Sequence, residues 1–137
     1  MYQITRKNKI VEQLQLCHAD GSVALVVDVE INVDQTAGKI NKAKELLAMA
    51  QGALQKDPNN PALMEAYGKA VVALFNSVFG EENTEKIIAF YDGNYSEMLI
   101  DIFPFLYNEI IPKINEASAE RKEQLLRAAK LAQSGKR

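Results

Sequence analysis

Residues 23–33 read VALVVDVEINV. The odd positions Val23, Leu25, Val27, Val29, Ile31 and Val33 are β-branched or leucine, and Asp28, Glu30 and Asn32 fall between them. A period of two sends alternate side chains to the same face, so this stretch reads as a strand with one buried face. Upstream, residues 9–16 (KIVEQLQL) are also extended in character. The intervening CHADGS carries Asp20-Gly21, a pair suited to the positive backbone angles of a hairpin turn. The N-terminal part therefore reads as a β-hairpin. Tyr2 to Thr5 alternate weakly and suggest a third strand through a turn at Lys7-Asn8.

Beyond the strand the period changes. After Asp34, which has the side chain of an N-cap, Ile40, Ala43, Leu47, Ala50 and Leu54 recur at helical spacing to about Lys56. Asp57-Pro58-Asn59-Asn60-Pro61 interrupts the pattern. Asn60 can cap the next helix and Pro61 suits its first position, where no amide donor is needed. That helix carries a wide apolar face of Leu63, Tyr67, Ala70, Val71, Leu74, Phe75 and Val78, and Gly80 is placed to end it with a left-handed cap. Asn83 or Thr84 is expected to cap a short helix to Tyr91. A turn at Asp92-Gly93-Asn94 follows, and Asn94 with Glu97 has capping-box spacing. From Ser96 to about Lys130 the pattern stays helical but contains Pro104 and Pro112, each removing a backbone donor, so kinks or breaks are expected there.

The fold class is thus α+β, mainly α: an N-terminal β-hairpin followed by a compact bundle of about four to five helices. At 137 residues the chain fits one domain. Residues 1–131 are read as that domain, with the hairpin in 2–33 and the helical part in 34–131. Residues 132–137 are read as a flexible tail.

Composition narrows function by exclusion. The net charge of −2 provides no general attraction to nucleic acid or anionic membrane. The charges are unevenly placed. Residues 81–112 hold seven acidic side chains and one lysine, whereas residues 113–137 hold seven basic and three acidic. The basic end lacks interleaved aromatics and shares its helix with Glu116, Glu120 and Glu123, a pattern of intrahelical ion pairs that disfavours nucleic-acid binding. The most apolar stretch, 87–114, is interrupted by Asp92, Glu97, Asp101 and Glu109, and no span across a membrane is expected.

Cys17 is the only cysteine, so an intramolecular disulfide and a cysteine-rich metal site are both excluded. Cys17-His18 has the residue types of a nucleophile and base, but strand neighbours point to opposite faces and no third group is placed to orient the imidazole. One histidine and no recognised ligand spacing leave no metal site. Glu81-Glu82 precede a helix, where acidic side chains meet the positive end of its dipole, and this accounts for them without acid-base chemistry. No glycine-rich phosphate loop is present. The chain reads as non-enzymatic and free of cofactors. Aromatic residues concentrate between Phe90 and Tyr107. Of these, Tyr91, Tyr95, Phe105 and Tyr107 are the candidates for a partner surface.

The stretch 79–114, FGEENTEKIIAFYDGNYSEMLIDIFPFLYNEIIPKI, resembles small proteins encoded in the tail-gene modules of phages and prophages of Gram-positive bacteria, the tail assembly chaperone-like group. The resemblance extends to the hairpin and the Asn60-Pro61 helix start. It implies a protein of the bacterial host cytoplasm that binds the phage tape-measure protein, keeps it soluble and recruits tail-tube subunits around it. Two other readings stand beside it. One is a structural tail or head-completion component that stays in the virion and uses the hairpin edge for strand addition. The other is an intracellular adaptor whose opposed charges drive docking or formation of a homo-oligomer.

Overall fold

The structure is a computed structural model and describes residues 1–5 and 10–134. Strands β1 (Ile10–Cys17) and β2 (Val23–Ile31) form an antiparallel hairpin, followed by helices α1 (Val33–Lys56), α2 (Pro61–Phe79), α3 (Glu81–Phe90), α4 (Tyr95–Phe105) and α5 (Ile111–Ser134). A π-helical turn, Leu106–Ile110, joins α4 to α5. The α+β, mainly α class read from the pattern is what folds.

The hairpin register places Leu14 opposite Val27, Glu12 opposite Val29 and Ile10 opposite Ile31. Leu16, Val27, Val29 and Ile31 are buried and Leu25 is half-buried, so the odd positions of β2 from Leu25 on form the inner face, while the odd position Val23, beside the register shift at Leu16/Cys17, is exposed, as is Val26. In the connecting loop Gly21 has φ +88°, and the Asp20 carboxylate accepts from the Ser22 amide and hydroxyl, which lowers its pKa. Residues 2–5 form no strand, and the turn expected at Lys7-Asn8 lies outside the described residues.

The hairpin ends two residues earlier than the alternation suggested, at Ile31 and not Val33. Val33 is already helical, the N-cap position falls on Asn32, and Asp34 sits within the first turn of α1. There its charge meets the positive helix end and Arg121 of α5, at 2.6 Å. Asn60 caps α2 as its side chain indicates, accepting from the amides of Ala62 and Leu63. Gly80 ends α2 with φ 82° and ψ 160°, a conformation open to glycine but outside the left-handed helical region. Because that turn is so abrupt, α3 starts at once at Glu81, and neither Asn83 nor Thr84 is its cap. Asn83 instead donates to the carbonyls of Phe79 and Asp28, tying α3 to the free edge of β2. The Asn94 side chain caps α4, accepting from the Glu97 amide and donating to its carboxylate.

Helix α2 is the centre of the packing. Val71, Leu74 and Phe75 have no exposed surface, and α1, α3, α4 and β2 all pack against this helix. Each such side chain contributes on the order of 1.5–3 kcal/mol by leaving water.

The prolines do not break the last helix. Phe105, Leu106 and Ile111 all hold α-region angles, and the chain runs helically from Tyr95 to Ser134. The buried residues of this segment explain the π turn. Ile102, Leu106, Ile110 and Ile114 recur every four residues, and an α-helix would carry them off their face by about 40° per step. A wider turn cancels that drift, and π turns typically occur as such single insertions. The turn also loosens the backbone just before Pro112, whose ring would crowd the carbonyl four residues back. Helix α5 remains regular to Ser134, and the last residues of the expected tail, 135–137, lie outside the described residues.

Candidate interaction surface

The Cys17-His18 pair lies at the end of β1 and in the hairpin loop, both side chains exposed. They face an open cleft of about 700 Å³ whose far wall is Phe90, Tyr91, Asp92, Glu97 and Asp101. The His18 and Phe90 ring centroids are 6.1 Å apart, the rings tilted by 43°. Tyr91 is buried there. Desolvation, then the Asp101 charge and a hydrogen bond to Asp101, then the Glu97 charge push its pKa up to about 12, so the phenol stays protonated. Among the described residues no group of three metal-ligating side chains comes together, and no helix is long and apolar enough to cross a membrane.

The four aromatic candidates are distributed over separate places. Tyr91 belongs to that cleft. Tyr95 lines a second one of about 440 Å³ against Met64, Gly68 and Val72 of α2. Phe105 is half-buried and stacks on Phe79 at 6.3 Å. Tyr107 is half-buried, stacks on Phe103 at 3.9 Å and lies under the Lys44 ammonium, 5.4 Å from its ring centroid.

What the surface does expose is on α4 and α5. On α4, Ile100 is 71% exposed, and Phe103, three residues on, is 41% exposed on the same outward side, while Glu97 and Asp101 line the Tyr91 cleft. On α5 the buried face of Ile111 and Ile114 fades through Ala117 and Ser118, and every residue from Ala119 to Gln133 is exposed. That projecting half carries Leu125, Leu126 and Leu131 at 65%, 59% and 74% exposure. Two ion pairs hold its base: Lys113 with Glu12 of β1, and Arg121 with Asp34 of α1. No protein-family model, curated protein or solved structure matches the chain.

Neither Ile100 nor the α5 leucines stood out in the sequence. The relevant signal is that the i, i+3, i+4 apolar phase of 110–118 runs on through Leu125, Ala128 and Ala132, past the point where the fold supplies a neighbour.

Proposed function

We propose that this chain is a non-enzymatic binding protein that presents the projecting half of α5 to a helical client. The observation that carries the reading is the exposure of Leu125, Leu126 and Leu131 on a helix that ordinarily would bury such side chains. Isolated helices of about 12–15 residues are marginal in water, and a partner that covers the leucines supplies the missing packing. On the resemblance of residues 79–114 the client is the phage tape-measure protein, a long helical protein. The chain then acts as a tail assembly chaperone in the host cytoplasm, holding the tape measure soluble and recruiting tail-tube protein to it.

Co-expression with the tape-measure protein tests this. The native chain should keep the tape-measure protein in the soluble fraction and co-purify with it. The Leu125→Ser/Leu126→Ser/Leu131→Ser variant should fold normally and lose both effects. Equal solubilisation by the triple variant would remove α5 as the client surface, and no association of the native chain would remove the chaperone reading. A second reading, a virion component that adds a strand at the hairpin, draws support from the exposed Val11, Val23 and Val26. Mass spectrometry of purified particles separates it, since the chaperone is absent from them.

A further inference from the structure

We propose that the client meets α5 with two helices laid side by side, the projecting half of α5 lying as a third helix in the groove between them. The inference rests on the reading of α5 as the client surface and adds the shape of what covers it. Successive residues of an α-helix turn by about 100°. Leu126 therefore points about 100° to one side of Leu125, and Leu131 about 120° to the other, so the three exposed leucines span an arc of about 220°. A helix packed on one neighbouring layer turns an apolar stripe of only about 100° toward it. One client helix seated over Leu125 would leave both flanking leucines in water. One seated on either flank would leave the leucine across the helix uncovered. Two helices, meeting over Leu125, bury all three.

The charges follow the same division. Between Gln124 and Gln133 only Arg127 and Lys130 are charged. Both of them, and Glu123, which pairs with Arg127 at 2.6 Å, lie within about 40° of the point opposite Leu125. Over that length the arc between the leucines holds alanine and glutamine alone, and Ala128, Ala129 and Ala132 allow neighbouring helices to come close. Leu125 also continues the face that the fold itself covers. It lies eleven residues beyond the buried Ile114, about three turns, so the two point the same way to about 20°. Helix α1 packs against α5 as far as the Asp34–Arg121 pair in its own first turn, and beyond that level no described residue takes its place.

Thiol alkylation along α5 tests it. A Cys17→Ser background removes the one native thiol, and single cysteines enter through Leu125→Cys, Leu126→Cys, Leu131→Cys and, on the charged side, Lys130→Cys. All four positions are exposed, so each full-length variant should fold, and circular dichroism checks that it does. Alkylation is followed on each variant alone and in its complex with co-expressed tape-measure protein. In the complex it should slow by about tenfold or more at positions 125, 126 and 131 and stay unchanged at 130. A folded leucine variant that no longer forms the complex reports the same coverage at its position. Protection at 125 with only one of 126 and 131 overturns the proposal in favour of a single helix and leaves α5 as the client surface. Protection at 130 as well overturns it in favour of a client that encloses α5 on every side. A complex that protects none of the leucines removes α5 as the client surface, and no association of the native chain removes the chaperone reading, the inference falling in both cases.

Discussion

The ring of Tyr95 lies so close over Gly68 that a Cβ built on the glycine would stand 3.0 Å from two of its carbons. Gly68 is buried within α2, where alanine would ordinarily stabilise the helix by about 0.5–1 kcal/mol. The ring must yield a few tenths of an ångström to admit the methyl, which offsets that gain. Gly68→Ala should therefore stabilise the native chain less than it stabilises a Tyr95→Ala background, by about 0.5 kcal/mol or more. Denaturant unfolding of the four proteins measures the coupling, and strict additivity would show that the ring moves away at no cost.

Thr84 is 1% exposed, and its hydroxyl has no hydrogen-bond partner among the described residues. A buried unpaired hydroxyl is a net penalty, and valine has nearly the same shape. Thr84→Val is expected to raise unfolding stability by about 1 kcal/mol. A loss of stability instead would mean that the hydroxyl is satisfied in solution.

The Tyr91 phenol has a pKa of about 12 in the fold, against 10.0 for a free tyrosine. A folded pKa above the unfolded one favours the protonated fold. That contribution is complete below pH 10 and is lost as pH rises through 12. Between those limits the native chain should lose stability faster than Tyr91→Phe, and below pH 9 or so their difference should be constant. Parallel curves from pH 10 to 12 would show that Tyr91 ionises as freely folded as unfolded.

Residues 119–133 are all exposed, so the projecting half of α5 contributes little to the stability of the body. Truncation after Lys122, which keeps the Arg121 pair with Asp34, should change unfolding free energy by no more than about 0.5 kcal/mol. The half-exposed Arg121–Asp34 pair itself is worth at most about 1 kcal/mol. Cooperative loss of the whole fold on truncation would place the tail in the core.

Much of the scaffold was legible before any coordinates. The alternation in 23–31, the Asn60 cap on α2, the turn at Asp92-Gly93-Asn94 and the Asn94–Glu97 cap each depend on side chains within a few residues of the backbone they serve. Asn83 shows where such reading stops. Its spacing suits a local cap, but its amide reaches Asp28, 55 residues away, an acceptor presented by β2. The aromatic candidates show the same boundary. Tyr91, Tyr95, Phe105 and Tyr107 are close in sequence, and the fold assigns them to different neighbours.

Alone, the sequence determined the hairpin, the order of the helices and the absence of recognisable catalytic spacing, because periodicity and capping are local properties of the chain. The tertiary structure decided that the helix passes through Pro104 and Pro112 by way of a π turn, since only the shared core demands that Ile102, Leu106, Ile110 and Ile114 face one way. It also decided that Ile100 and the α5 leucines remain uncovered. Burial depends on what arrives from elsewhere in the chain, and past Arg121 nothing in the described fold arrives.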